Sequence, residues 1–235
     1  MVKNTAIVLA GGSGSRMKSD IPKQYIEVEG KPLLAYSLII MEQSPIIDEI
    51  ILVARAEDLD FCREKIVNKF NISKVTHIVK GGSERFLSVY EGIKVSSGMY
   101  LWIHDGARPC LSMEIINRLY EDVLEFGATI TAVPSKDTVK VIKNGFVVNT
   151  PNRADVWMVQ TPQVFKADWL KEAYCNMMSD DCECNITDDA MIMENFSSEK
   201  VHVTMGEYTN IKVTTPEDIL SVEKYFKKIK NTVDI

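Results

Sequence analysis

The chain has 235 residues, a net charge of −6 and 46% hydrophobic residues. That suits one α/β domain with an ample core and argues against broad nucleic-acid binding, although a local basic pocket can still take a small anion. No apolar run reaches the ~18 residues of a membrane span, and residues 1–10 read as a first strand rather than a signal peptide.

In chain order, "TAIVLA" (5–10), "EIILVA" (49–54), "VTHIV" (75–79), "YLWIH" (100–104) and "ATITAV" (128–133) are short, β-rich and mostly apolar, as strands are when both faces of a sheet are covered. Helical patterns fall between them, at 32–43, about 57–70, 84–97 and 112–126. In the last of these, Ile115, Leu119 and Val123 share a face, with Ile116, Leu124 and Phe126 close by, and Ser112 is placed to cap it. Alternating β and α predicts a doubly wound, mostly parallel sheet.

The alternation breaks after residue 134. "KDTVKVIKNGFVVNTPNR" sets "NG" between two alternating apolar runs, a hairpin signal. Residues 135–160 are read as an arm projecting from the single domain 1–235. Its alternating Val, Ile and Phe need a cover, and a second copy of the chain, arm to arm, is the simplest. Helices near 166–178 and 187–195, a strand at 201–204 and a helix from about 216 to 229 complete the chain.

Five cysteines (Cys62, Cys110, Cys175, Cys182 and Cys184) at irregular spacing argue against a disulfide framework and for a reducing cytoplasm. Cys182 and Cys184 lie in "SDDCECNITDD" without a second Cys or His pair at zinc spacing. The segment reads as a solvated acidic loop, and no protein-held metal is expected.

The chemistry gathers at turns that follow strands. "LAGGSGSRMKSDIPKQ" (9–24) leaves the first strand at the carboxyl edge, where such sheets bind ligands. Its glycines admit phosphate oxygens to backbone N–H groups, but neither the dinucleotide fingerprint nor the phosphate-loop motif is complete. Arg16 and Lys23 read either as phosphate-binding cations or as solvated loop charges. "GGSERFLSVYEG" (81–92) opens a helix, with Ser83 a candidate cap, Gly81 and Gly82 able to read a base edge, and Ser88 one turn inside. "LWIHDGARP" (101–109) delivers Asp105 and Arg108 to the same edge. Asp105 suits a sugar hydroxyl or a metal–phosphate cluster, Arg108 suits a phosphate, and His104 reads as structural. Arg153 sits near the base of the arm, Thr187 is a candidate cap in "NITDDAMIME", and Lys212 lies in "YTNIKVTTPEDI".

Taken together, "LAGGSGSRM…PKQY", "GGSERFLSV", "HDGARP", "VPSKDTVK", "NRADVWMVQTPQVF", "TDDAMIME" and "NIKVTTPED" resemble the 2-C-methyl-D-erythritol 4-phosphate cytidylyltransferase family over nearly the whole chain. The resemblance implies a Rossmann-like nucleotidyltransferase sheet with a β-hairpin arm, a homodimer, and cytidylyl transfer from CTP to methylerythritol phosphate with Mg²⁺ held chiefly by the triphosphate. By resemblance, Arg16 and Lys23 would stabilise charge at the α-phosphate, with Arg153 and Lys212 completing the catalytic set. Ala10, Gly11, Gly12, Gly82, Ser88 and Asp105 would hold CTP. Asp105, Arg108, Thr138, Arg153, Thr187 and Lys212 would hold the polyol phosphate, Thr138 and Arg153 reaching a neighbouring subunit's site from the arm. Gly11 stands where many members carry alanine, a form familiar in the sister ribitol-5-phosphate cytidylyltransferases, and Ser83 stands where some carry aspartate. "HDGARP", "VPSKDTVK" and the tryptophan of "DVWMVQTPQ" favour methylerythritol. A non-catalytic nucleotide-binding regulator is the third reading.

Overall fold

A computed structural model describes residues 3–12, 21–180 and 185–233. Arg16, Cys182 and Cys184 therefore lie outside the described residues. The strands are β1 (Asn4–Ala10), β2 (Glu27–Val28), β3 (Lys31–Pro32), β4 (Glu49–Ala54), β5 (Val75–Lys80), β6 (Tyr100–Asp105), β7 (Ala128–Pro134), β8 (Val141–Lys143), β9 (Phe146–Asn149), β10 (Trp157–Lys166) and β11 (His202–Met205). The helices are α1 (Leu33–Gln43), α2 (Leu59–Phe61), α3 (Arg85–Val95), α4 (Met113–Phe126), α5 (Ala167–Ser179), α6 (Asp189–Phe196) and α7 (Pro216–Val233). The helix expected over 57–70 is a composite: α2 is a single turn between a 3-10 turn and a π-helical stretch, Cys62–Asn68.

Seven strands form one sheet in the order β11-β7-β10-β6-β1-β4-β5. β1 pairs parallel with both β4 and β6, β4 with β5, and β11 with β7. Only β10 runs against its neighbours, β6 and β7. Alternate residues of the central strands serve opposite faces, as their period of two requires. Ala6, Val8, Ile50, Leu52 and Trp102 pack with α1, the π-helical stretch and α4. Ile7, Ile51, Val53, Leu101 and Ile103 pack with α3, α5 and α6. Apolar runs in β1, β4 and β6 thus become strands buried on both faces, and the sheet is doubly wound as the alternation predicts.

Local signals decided several details. Ser112 accepts from Ile115 N–H at 3.2 Å and caps α4. Ile115, Ile116, Leu119 and Val123 are buried, but Leu124 and Phe126 remain exposed, Phe126 stacking on His202. The "NG" turn joins β8 to β9 with φ of 51° at Asn144 and 82° at Gly145, both in the left-handed region that a type I′ turn demands.

The arm differs from expectation at its end. The arm expected over 135–160 overlaps residues 157–160, yet residues 157–166 form a ten-residue strand of the central sheet. The projecting hairpin is therefore confined to residues before Trp157. Gln160, Thr161, Pro162 and Gln163 interrupt the apolar run of β10, and its register with β7 shifts between Val159 and Gln163. The irregular stretch carries polar side chains toward the ligand-binding edge, and that hides a strand from pattern reading.

Candidate active site

Parallel strands place their carboxyl ends on one edge, and the chain leaves β1 toward β4 on one side and returns to β6 on the other. A crevice opens at such a switch point. Here it is a cleft of about 400 Å³, walled by the turn after β1 (Ala10, Gly11, Gly12), Lys23, the turn after β5 (Gly82, Ser83) with Ser88, and Asp105 and Lys212. A second cavity of about 490 Å³ shares Arg85, Asp105 and Lys212 with the first and adds Arg108, Thr161, Thr187 and Asp188.

Lys23 reaches the first cleft because its neighbours are anchored. Lys23–Tyr25 is a 3-10 turn in which Gln24 and Tyr25 are buried. Gln24 Nε2 donates to the Ala10 carbonyl at 2.7 Å, which ties the turn to the end of β1. The Tyr25 hydroxyl donates to Asp58 at 3.2 Å and lies 3.2 Å from Cys62 Sγ. Burial raises the Tyr25 pKa far above its usual value, so the hydroxyl keeps its proton.

The turn after β5 is equally constrained. Gly82 N–H donates to Ser88 Oγ at 3.1 Å, and Ser88 Oγ–H lies 3.1 Å from the Glu84 carbonyl. A Cβ on Gly82 would meet Leu87 Cβ at 2.4 Å, so this close approach requires glycine. Ser83 is not the helix cap: Glu84 holds that position with extended backbone and no side-chain bond, and Arg85 begins α3.

Asp105 is the electrostatic centre. Its Oδ2 lies 2.7 Å from Lys212 Nζ and 4.0 Å from Arg108 Nε, and its Oδ1 lies 3.4 Å from Arg85 Nε. Burial alone would raise its pKa, but the three cations hold it well below the usual carboxylate range. Arg108 is brought to the second cavity as expected, where two of its five N–H donors are engaged by main-chain carbonyls and its buried Nε has no hydrogen-bond partner among the described residues. Nη1 donates to the Asn210 carbonyl at 2.8 Å and Nη2 to the Val159 carbonyl at 3.4 Å. His104 is fully buried with Nδ1 3.1 Å from Thr161 Oγ1, and burial lowers its pKa to about 4. It is a neutral structural histidine, as read from the sequence.

The second cavity is built by β10 and α6. Gln163 Oε1 accepts from the N–H groups of Asp189 and Ala190, at 3.0 and 3.1 Å, and so holds the α6 N-terminus to the sheet. Asp188, not Thr187, caps α6, accepting from Met191 N–H at 3.1 Å. The cap shift leaves Thr187 on the cavity wall.

Thr138 and Arg153 do not join these walls. Both are exposed, and Arg153 lines a separate hollow at the base of the arm with Lys136 and Asn152. The residue that sequence reasoning overlooked is Arg85, common to both cavities; its one signal was an arginine inside the "GGSER" turn. Among the described residues, no three His, Cys, Asp or Glu side chains converge to hold a metal ion. None of the described helices is long and apolar enough to cross a membrane.

A cationic cleft whose carboxylate is strongly acidic and whose histidine is neutral and enclosed suits a nucleophile that arrives already ionised. With the Gly-rich turn at the switch point of a mostly parallel sheet, this defines an α/β nucleotidyltransferase. A model of the IspD family, 2-C-methyl-D-erythritol 4-phosphate cytidylyltransferase, matches residues 4–228. The proteins of that name from Lachnospira eligens and Lachnoclostridium phytofermentans are 48% and 44% identical, over 92% and 97% of this chain and 96% and 98% of their own. The crystal structure of 4-diphosphocytidyl-2C-methyl-D-erythritol synthase from Anaerococcus prevotii superposes with a TM-score of 0.83 at 36% identity, covering 96% of this chain and 99% of that one. The Francisella tularensis enzyme superposes with a TM-score of 0.78 at 31% identity, over 94% and 98%. The chain belongs to the 2-C-methyl-D-erythritol 4-phosphate cytidylyltransferase family.

Proposed function

We propose that the chain transfers the cytidylyl group of CTP to 2-C-methyl-D-erythritol 4-phosphate. A phosphate oxygen of the polyol phosphate bonds to the α-phosphorus of CTP, the bond from that phosphorus to the β-phosphate bridging oxygen breaks, and pyrophosphate leaves with the electron pair. The observation that carries this reading is the pair of cavities sharing Asp105, Lys212 and Arg85, one lined by the glycine turns and the other by α6. Two anionic substrates can meet at that shared wall.

The chain's own work is positioning and charge stabilisation, since the nucleophile needs no general base. Ala10, Gly11, Gly12, Gly82 and Ser88 would receive CTP, and Lys23 would face its phosphates, with Arg16 assigned beside it by family resemblance. Asp105, Thr187 and Lys212 would orient the polyol phosphate. Mg²⁺ would enter with the triphosphate and neutralise part of its charge. The exposed apolar side chains of the hairpin, Phe146 at 77% exposure foremost, support a homodimer in which Thr138 and Arg153 serve the partner's cleft. The same proposal places the protein in the cytoplasm.

The packing does not require glycine at Gly11: among the described residues a Cβ there would meet nothing nearer than Ser88 Oγ at 4.0 Å, so the fold accepts either glycine or alanine. The test is pyrophosphate release from CTP and Mg²⁺ with methylerythritol phosphate and with D-ribitol 5-phosphate in parallel. Release with the first alone is expected. Release with the second alone would replace the polyol assignment, and release with neither would leave a nucleotide-binding regulator.

A further inference from the structure

Arg85 begins α3 immediately after the glycine turn and stands between two carboxylates. Its Nε faces Asp105 Oδ1 at 3.4 Å, and its Nη1 faces Asp189 Oδ2 at 2.7 Å. The two aspartates are held very differently. Asp189 is fully buried and fixed from several sides: its Oδ1 accepts from the Tyr174 hydroxyl at 2.8 Å, and its N–H is held by Gln163 at 3.0 Å. Asp105 lies on the wall of both cavities, and its second oxygen is shared with Lys212. Arg85 thus joins a fixed carboxylate in the α6 N-terminus to a working carboxylate at the end of β6. Its Nη2 is buried without a hydrogen-bond partner among the described residues, so these contacts do not fill its donor set.

We propose that Arg85 is a positioning residue that spans the two cavities, bracing Asp105 against Asp189 and so setting the polyol-phosphate subsite. This rests on the function proposed above and assigns a residue to it. The brace occupies Oδ1 of Asp105, restricts rotation of that carboxylate, and leaves Oδ2 for Lys212 and the substrate. It also sets the spacing between the end of β6 and the start of α6, where Thr187 and Asp188 line the second cavity. A guanidinium can make both contacts because its donors diverge from one rigid plane; an ammonium carries the same charge on a single head and cannot span. Charge alone is therefore insufficient at this position.

The test is steady-state kinetics of the full chain with CTP and methylerythritol phosphate, for wild type, Arg85→Lys, Asp189→Asn and the double variant. Arg85→Lys and Asp189→Asn are each expected to raise KM for the polyol phosphate by about 10-fold, with kcat and the CTP KM within about 3-fold of wild type. The double variant is expected to be no worse than Arg85→Lys alone, because both changes break the same brace. An active wild type with an indistinguishable Arg85→Lys variant overturns the inference and leaves the function standing. Parallel loss in kcat and both KM values, or multiplying effects in the double variant, also overturns it. If circular dichroism shows Arg85→Lys unfolded, Asp189→Asn decides: an unchanged polyol KM overturns the brace. A folded wild type that releases no pyrophosphate overturns the function and this inference with it.

Discussion

Replacing Asp105 by asparagine removes one charge from the point where three cations meet. Lys212, Arg85 and Arg108 stand 2.7, 3.4 and 4.0 Å from its oxygens. Breaking a buried ion pair by removing one partner costs about 3–5 kcal/mol. Here the lower end applies. Arg85 keeps Asp189, Arg108 keeps two main-chain carbonyls, and Lys212, with its side chain 37% exposed, can turn to water. A loss of about 3 kcal/mol at neutral pH is expected, or about 6–12 °C in Tm for a chain of this size. The folded-state pKa of Asp105 lies below its unfolded value, so its contribution is whole above about pH 4 and drains away as pH falls further toward the folded value. Urea unfolding of wild type and Asp105→Asn should therefore show a gap that is constant from about pH 7 to 5 and narrows below about pH 4. A gap under about 0.5 kcal/mol at neutral pH, or one that widens on acidification, would refute the reasoning.

Lys23→Ala should lower kcat by about 100-fold or more while CTP affinity by calorimetry changes only a few-fold, because the contact is assigned to the transition state; an unchanged kcat would remove Lys23 from the chemistry. Gly82→Ala and Gly12→Ala form a matched pair. The first added Cβ meets Leu87 Cβ at 2.4 Å and the second meets nothing within 4 Å among the described residues. Denaturant melts should show a loss of about 1–3 kcal/mol for Gly82→Ala and under about 0.5 for Gly12→Ala, and equal losses would contradict the packing of the turn. Phe146→Asp should convert a dimer to a monomer in light scattering, and mixed Arg153→Ala and Lys23→Ala subunits, each inactive alone, should regain activity. A Phe146→Asp dimer, or no recovery in demonstrated heterodimers, would remove the arm from the shared site.

Much of this molecule was legible in the chain itself. The strands of the central sheet other than β10, the Ser112 cap and the "NG" turn were read from residues only a few positions apart, because backbone preference and capping are settled by near neighbours. The glycine turns and "HDGARP" marked the ligand-binding edge for the same reason: a turn that ends a parallel strand sits at its carboxyl end wherever the strand goes.

What the sequence could not disclose depends on partners distant along the chain. β10 is a strand because β6 and β7 leave a gap for it, and its irregular register hid it from pattern reading. Thr187 gave up the cap to Asp188 once Gln163, on another element, held the α6 N-terminus. Arg85 is not singled out by the sequence, because its bond to Asp189 joins residues 104 positions apart. The sequence by itself determined the α/β alternation, the hairpin and the sheet edge at which the cleft opens, all of which follow from local backbone geometry. The tertiary structure alone decided which charges face one another, because electrostatic coupling depends on separation and burial in space, and neither is a function of position along the chain.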